Sequence, residues 1–548
     1  MRMTELLTTT ALQPQRTRRT DTARILTSGD VGKILPIKMI PLFREDAVQN
    51  GRVRITVEMM ETAEMLANSV MVEAQAHFVP FLAFSQFNGI DSFNRSYMKE
   101  AESDGSTINF FEKNKFFDGS SVLTIADKPD FDTDNRWGLA QFYQTLGLHH
   151  NENNINNSYV QSYNAVVNHR LEARSKNLPT RNEFDHNLAE AFRLNLGFND
   201  IVSDYDDKLI DGSVELSGLT FKAGLVAETA SGALGTAGSE TPTGDSYSQS
   251  NTTRPDGTAI TSAYHWNDIW AELTSGGNAT MSLNDIEMAK KTAAFARLRS
   301  QYDHMDEDYL IDMLVSGIQL PAEMMKKPVL LASKRAPIQF MQRYATDAGN
   351  LDENVANGAA QIDLSVRMPR TNVGGIIVIT CSAVPESIWE RKEDHFLSCI
   401  DPDVLPAYTR DFLDPNPVEQ VLNGEIDVNH ATPDSVFGYR PLNGKWINRD
   451  YTSVGGKYYR PANDAFTEVR SKIYSTEVTN PTLNADWYLC TNMHKKVFAD
   501  QVSDSLEISC VSAMTITGHT VGGAPLIEAS DDYDKITAQV DQTRVDPS

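Results

Sequence analysis

Two apolar stretches almost three hundred residues apart end in the same way, and together they constrain the fold more than any other feature. Residues 70–80, "VMVEAQAHFVP", alternate: Val70, Val72, Ala74, Ala76 and Phe78 lie on one side, Met71, Glu73, Gln75 and His77 on the other. A period of two over this length predicts a half-buried β-strand. Residues 374–385, "GGIIVITCSAVP", form a nearly continuous β-branched run, suited to a strand buried on both faces. Each stretch stops at Val-Pro, where proline removes a ladder donor. Three further stretches carry the same signature. "GKILPIKMIPL" (32–42) has Pro36 and Pro41 marking an edge or a bulge, "RVRITVEM" (52–59) sets Val53, Ile55, Val57 and Met59 against Arg52, Arg54, Thr56 and Glu58, and "DSLEISCVSAMTITG" (504–518) closes the series. A β-framework built this way closes over long range. Directly after Pro80 come Phe81, Phe84 and Phe87, then an Asn88-Gly89 turn. That much apolar surface covers either an inserted helix of the same chain or the face of a neighbour.

The residues between those stretches read differently. Ser158–Gln161 has the form of a capping box, and Tyr159, Tyr163, Val166, Val167 and Leu171 make a helical stripe ended by Pro179. A second helix opens at Ser282–Asp285, and a third follows from Asp306, with Tyr309, Leu310, Met313 and Leu314 inward and Gly317 as the stop. Residues 228–259 are poor in bulky apolar residues and rich in Gly, Ser and Thr, which predicts a surface loop or disordered excursion. The expected organisation is a basic arm at 1–30, first strands at 31–80, and large insertions at 81–371 with helices near 158–176, 284–300 and 306–316. Remaining core strands then span 372–520, with an inserted loop region at 386–503, and a tail occupies 521–548.

Composition narrows the functional classes. The chain has 548 residues, 41% hydrophobic and 22% charged, as a folded globular protein does. No run of about 18 apolar residues is present, and the first twenty residues lack an apolar signal core, so a soluble protein without membrane attachment is expected. Cys381, Cys399, Cys490 and Cys510 are dispersed, which favours free, mostly buried thiols in a reducing cytoplasm. The net charge is −25, from 49 Lys plus Arg against 74 Asp plus Glu. Most of such a surface repels nucleic acid. The exception is "RTRRTDTAR", where Arg16, Arg18, Arg19 and Arg24 face Asp21 alone. A flexible basic arm on an acidic body suits nucleic-acid contact, and an ordinary solvated terminus is the alternative.

Catalytic patterns are missing. There is no H-E-x-x-H, G-x-S-x-G, P-loop or dinucleotide fingerprint. His149-His150-Asn151-Glu152 has no companion cluster that would make it a metal site. "DFDTDN" (130–135) imitates a calcium loop, but Asn135 replaces the turn glycine and Gln141 stands where a bidentate Glu belongs. Acidic pairs such as Asp206-Asp207 and Asp531-Asp532 do not by themselves make a glycosidase. No cofactor and no enzymatic activity are expected.

Taken in order, several motifs resemble the major capsid protein of the tailless icosahedral single-stranded DNA phages, the microviruses. They are "GKILPI" (32–37), "AQAHFVP" with "FNG" (74–80, 87–89), "YVQSYNAVVNHRLEARSKNLPTR" (159–181) and "SLNDIEMAKKTAAFARL" (282–298). "GGIIVITCSAVPESIWERKED" (374–394), "DPDVLPAYTRDF" (401–412), "FGYRPLNGKW" (437–446) and "DWYL" (486–489) follow. The sequence departs from the family in "FVPFLAF", which lacks the usual Arg after Val-Pro, and in "REDAVQNG" where a Pro-Gly-Asp turn is usual.

The resemblance implies a mainly β, eight-stranded antiparallel jelly roll with long helix- and loop-bearing insertions. It implies pentamers assembled into a closed shell around a single-stranded DNA genome, made in the bacterial host cytoplasm and located in the virion. Scaffolding or other virion proteins are expected partners, and an outward insertion at 228–259 could meet the host surface. An anionic shell around an anionic genome needs a basic lining or a basic partner. Besides the arm, "KKPVLLASKRAPIQFMQRY" (326–344) holds five cations and no acid, and Lys457, Tyr458, Tyr459 and Arg460 join charge to stackable rings. Phe81, Phe84, Phe87 and Phe93, with Tyr97, are the candidate contact between copies; packing within one subunit is the alternative. Two other classes stay open: a phage carbohydrate-binding or depolymerase β-protein, and a minor spike component.

Overall fold

The computed structural model describes residues 16–62, 65–102, 104–113, 115–117, 122–123, 142–148, 155–195, 197–205, 219–228, 234–236, 252–253, 259–260, 263–273, 283–302, 308–318, 326–344, 354–389, 392, 394–413, 418–447, 454–458, 473–474, 480–491 and 493–523. The chain divides into two compact units, Met1–Tyr205 with Leu320–Ser548, and Asp206–Gln319.

The first unit is mainly β, and its two large sheets are antiparallel. The strands are β1 (Thr17–Gly29), β2 (Lys33–Leu42), β3 (Ala47–Thr62), β4 (Val70–Pro80), β5 (Val329–Pro337), β6 (Gln339–Tyr344), β7 (Asn354–Met368), β8 (Gly375–Ser387) and β9 (Leu506–Gly518). One sheet has the order β1-β9-β3-β7-β6; the other has β5-β4-β8-β2, extended past β2 by the short strand Ala189–Glu190. The alternation read from the sequence sets the core between them. Val53, Ile55, Val57 and Met59 of β3 join Val70, Val72, Ala74, Ala76 and Phe78 of β4 in one buried cluster with Ile377, Ile379 and Cys381 of β8. Burying each such large aliphatic side chain contributes about 1.5–3 kcal/mol. β8 is covered on its other face too, as its unbroken apolar run requires: Ile376, Val378 and Val384 belong to a second cluster. Gly374 turns the chain into β8 at φ +70, and a side chain there would press on the Leu42 carbonyl at 2.7 Å.

That second cluster explains the aromatic run after Pro80. Phe81, Phe84, Phe87 and Phe93 are all buried inside the subunit, the last on helix α1 (Ile90–Met98). They pack edge-to-face, Phe87 on Phe93 at 5.2 Å and Phe81 on Phe84 at 5.8 Å, and Phe81, Phe87 and Phe93 share Phe110 as a neighbour. Helix α2 (Ser158–Arg174) lies in the same cluster through Tyr163, Val166, Val167 and Leu171. The Tyr163 hydroxyl donates to the Ile34 carbonyl at 2.7 Å and accepts from the Ala189 amide at 2.9 Å, tying α2 to β2 and its neighbour. Of the two roles for these phenylalanines, covering the chain's own insertion is the one observed, which corrects the expected contact between copies.

Other expectations change as well. The capping box at Ser158 is not formed; Asn156 Oδ1 accepts from the Ser158 amide, and Gln161 points to Gln86 at 3.1 Å. Helix α2 ends at Arg174, ahead of Pro179. Residues 17–29 are no flexible arm: β1 pairs with β9 along its whole length. Its polar composition hid it, because one side faces solvent and the other holds Arg19, Asp21 and Ala23 beside Ile25. The framework also resumes earlier than residue 372, since β5, β6 and β7 lie at 329–368. Gly358, Ala356 and Ala360 stand at inward positions of β7, so its first half carries little of the bulk by which strands are recognised.

The second unit contains a three-stranded antiparallel sheet, with Leu219–Glu228 between Leu234–Thr236 and Ala263–Leu273, and a two-stranded pair, Thr252–Thr253 with Ala259–Ile260. Helices α3 (Leu283–Ser300) and α4 (Asp308–Val315) follow, joined by an Arg299–Asp312 ion pair at 3.4 Å. Leu310 and Ile311 are buried, and Gly317 adopts φ +80 at the stop. Within 228–259 the described residues are strand; the rest of that expected excursion lies outside the described residues. Among the described residues no helix is long and apolar enough to cross a membrane.

Two groups in the core give direct tests. All four cysteines are free, and burial pushes the thiols of Cys381 and Cys490 up to about 12 and that of Cys510 up to about 11. Cys399 is only half-buried. A thiol reagent is therefore expected to titrate one cysteine rapidly in the native protein and four in denaturant. Rapid native reaction of two or more contradicts this packing.

His77 sits under α2, and burial, then Arg170 and His169, hold its pKa down to about 3. Its ring stays neutral in the fold, whereas an unfolded histidine takes a proton near pH 6.5. Its contribution is thus complete above about pH 6.5 and declines as pH falls towards 3, by at most ~1.4 kcal/mol per pH unit. His395, lowered to about 4 by burial and then Lys445, acts in the same direction. The variant His77→Gln is expected to flatten the pH dependence of unfolding free energy between 6.5 and 4.5. An unaltered slope in urea titrations contradicts this.

Candidate assembly and nucleic-acid surfaces

Among the described residues of the first unit, the connection from β8 to β9 carries a dense set of exposed apolar side chains. Within residues 394–413, Phe396, Leu397, Ile400, Val404, Tyr408, Phe412 and Leu413 are exposed, and Ile447 joins them. Leu397 is 81%, Ile400 91%, Tyr408 85% and Phe412 75% accessible, values that unfolded chains approach and folded monomers rarely give to neighbouring large side chains.

This surface is held in shape by polar bonds beneath it. Asp394 Oδ1 accepts from the Phe396 amide at 3.0 Å, starting the turn His395–Ser398. The Arg410 guanidinium donates to the carbonyls of Asp403 and Leu405, pinning the strap before the helical turn Tyr408–Leu413. Asp411 accepts from the Ala407 amide at 2.8 Å and from Asn443 Nδ2 at 2.7 Å, which fixes that turn to the segment bearing Trp446 and Ile447. Hydrogen bonds from these partners hold the Asp411 carboxyl below the usual carboxylate range. Phe396 and His395 pack edge-on to Trp446, and Tyr408 stacks on Phe412 at 6.0 Å. A built, charge-anchored apolar face of this kind suits a partner of equally apolar character.

The basic residues expected to meet nucleic acid are divided by the strand that carries them. Arg19 turns inward: it pairs with the fully buried Asp46, donates to the Pro41 carbonyl at 3.2 Å and lies over the Phe43 ring at 4.6 Å. Its charge is spent on attaching β1, so it is withdrawn from the phosphate-binding set. Arg18 and Arg24 face solvent, and Arg16 is exposed just ahead of the strand. Lys457 and Tyr458 belong to the short turn Gly456–Tyr458, with the Lys457 side chain outside the described residues; Tyr459 and Arg460 lie outside them too. The basic stretch 326–344 is largely β5, β6 and their lead-in, and there Lys327 pairs with Glu172 at 3.5 Å and Arg335 with Glu73 at 2.7 Å.

What the sequence did not bring together is the outer face of the five-stranded sheet. The register sets Arg24 beside Val511, Val511 beside Arg54 and Arg54 beside Asp363. In the next outward row stand Thr22, Ala513, Arg52 and Ser365. Arg18 and Arg367 extend the face in the same direction, and both are exposed. Asp363, bound to Arg54 at 2.7 Å, is the acid among these rows; Glu58 and Glu507 stand opposite each other towards the other end. Five guanidinium groups thus share one end of a Thr- and Ser-bearing surface on a chain of net charge −25. The signal was present in β3, whose alternation turns Arg52 and Arg54 outward, but the strands that complete the face come from residues 17–29, 354–368 and 506–518.

Among the described residues no group of three or more His, Cys, Asp or Glu is placed to hold a metal ion. The sequence candidates at 130–135, 149–152, 206–207 and 531–532 lie outside the described residues. No family model matches the chain, and no curated protein matches it either.

Proposed function

We propose that this chain is a major capsid protein, a structural protein that assembles with copies of itself into a closed icosahedral shell around single-stranded DNA, in the manner of the microviruses its motifs resemble. The exposed apolar surface at 394–413 carries the reading. A protein that stays alone has no use for such a face, whereas one repeated around symmetry axes buries it against the next copy. Part of this face, residues 401–412, is among the motifs that resemble the family.

The strand order supports a jelly-roll reading of the framework. With the short edge strands β6 and Ala189–Glu190 set aside, eight strands remain, β1-β9-β3-β7 in one sheet and β5-β4-β8-β2 in the other; successive strands change sheet except at β4–β5, which pair with each other. Interleaving of first and last strands in each sheet is what two Greek keys wound together require. The basic outer face of β1, β3, β7 and β9 is the surface proposed to meet the genome, by neutralising phosphates without reading bases.

Salt dependence tests the nucleic-acid half of this proposal. Replacing Arg18, Arg24 and Arg52 together by Gln is expected to flatten the log–log slope of single-strand binding by about 2 units, at ~0.7 for each phosphate no longer neutralised. A slope equal to that of the unaltered protein removes this face from the interface. Electron microscopy of the concentrated protein tests the other half: closed particles of one diameter support the shell, and a stable trimer indifferent to DNA contradicts it.

A further inference from the structure

On the outer side of the second sheet, beside α2, lies a cavity of about 420 Å³ whose polar lining is dominated by arginine. Arg170 and Arg174 come from successive turns of α2, Arg193 from the segment after Ala189–Glu190, and Arg335 from β5; Glu73 of β4 is the one acid among the lining residues. Both Glu73 oxygens are occupied, one by Arg170 at 2.7 Å and the other by Arg335 at 2.7 Å. Burial alone would raise the Glu73 pKa, but the two guanidinium groups outweigh it and hold it below the ordinary value.

Arg174 and Arg193 have no carboxylate within ion-pair distance among the described residues. Arg174 donates to Asn199 Oδ1 at 2.9 Å, and its Nε is buried with no hydrogen-bond partner. Arg193 is 6% exposed, and among the described residues its guanidinium reaches the Leu489 carbonyl, at 3.4 Å. Asp200 and Asp486 influence Arg174 and Arg193 respectively from further away. Phe192 backs Arg170, with the guanidinium 4.6 Å from the ring centre, so that donor is held in place. Among the lining residues, four cations against one acid leave three positive charges around a small cavity, with Asp200 and Asp486 acting only from further away.

We propose that this cavity is a binding site for a phosphate-bearing ligand, held by Arg174 and Arg193 with Arg170 and Arg335 behind them. A single carboxylate would leave two of the three charges uncompensated, whereas a phosphate brings up to two charges and oxygens that match the guanidinium fork. The volume falls within the ~300–1,000 Å³ of small-ligand sites and leaves room for the sugar attached to a phosphate. The phosphate comes either from a free nucleotide or from the backbone of a nucleic-acid strand. This site does not depend on the shell reading, and the residues differ from those of the basic sheet face.

Calorimetry with inorganic phosphate, deoxyadenosine monophosphate and an oligothymidylate, at constant ionic strength, tests the site on the full chain. Phosphate and nucleotide are expected to bind, and Arg174→Gln to weaken both by about tenfold or more, as loss of a hydrogen bond to a charged group does. Loss of oligothymidylate affinity by a similar factor, with inorganic phosphate competing, identifies the strand as the source. Unchanged oligothymidylate binding beside weakened nucleotide binding identifies the free nucleotide. Should Arg174→Gln unfold, the unaltered protein decides alone: a phosphate-dependent rise in melting temperature, not reproduced by chloride, supports the site. Absence of phosphate binding to the folded, unaltered protein overturns it, whatever its assembly state.

Discussion

Replacing Leu397, Tyr408 and Phe412 by Asp is expected to abolish association between copies of the chain while leaving each copy folded. All three side chains are exposed, so their removal takes away little packing within the subunit beyond the Tyr408–Phe412 stack. Surface substitutions of this kind usually change stability by less than about 0.5 kcal/mol. On the proposed shell, their effect on assembly is expected to be far larger, because each contact is repeated around every symmetry axis and a buried, unpaired carboxylate would be added each time. Sedimentation of the variant beside the unaltered protein reads this directly, with circular dichroism melting as the control. A variant that assembles normally excludes this face as the contact. One that unfolds shows that the segment stabilises the subunit instead.

A comparably large effect is expected inside the subunit at Asp46. Its carboxylate is fully buried, accepts from the Phe43 amide at 2.7 Å, and pairs with Arg19 of β1. Gly518, at the end of β9, packs against the same carboxylate so closely that a side chain there would overlap it. The variant Asp46→Ala leaves the half-buried Arg19, over the Phe43 ring and bonded to the Pro41 carbonyl, without its carboxylate partner. Losing one member of a buried pair costs about 3–5 kcal/mol. Urea unfolding is expected to show a loss of that order at an unchanged denaturant slope, and proteolysis to cut first within β1. A loss below about 1 kcal/mol would mean that Arg19 finds water in place of Asp46.

Asp46 also shows where the sequence stopped being legible. The strands β3, β4 and β8 could be read directly, because each has at least one face of large aliphatic side chains packed into the core. β1 could not: its inward side chains include Arg19 and Asp21, satisfied by Asp46 and by Lys38 at 3.0 Å, and charge in such a place looks like a solvated tail until its partners are known. Half of β7 was hidden for the opposite reason, since Ala356, Gly358 and Ala360 are too small to mark a face. The aromatic run after Pro80 was legible as buried surface but not as to whose, because Phe81, Phe84 and Phe87 satisfy the same pattern against a helix of their own chain or against a neighbour. The exposed set at 394–413 has the converse ambiguity: Phe396, Leu397, Ile400 and Phe412 read like core. The basic sheet face and the arginine cavity draw residues from strands and a helix far apart in the chain; only Arg52 and Arg54 on β3, and Arg170 and Arg174 one turn apart on α2, were neighbours by spacing.

The central claim is that the subunit is built to meet copies of itself around DNA. Sedimentation velocity of the full chain over a range of concentrations, with and without circular single-stranded DNA, tests it most directly. The expected result is a 60.9 kDa species giving way to a pentamer and to larger closed particles, with DNA shifting the balance towards the latter. A single species of one to three chains, unchanged by concentration and by DNA, would contradict it.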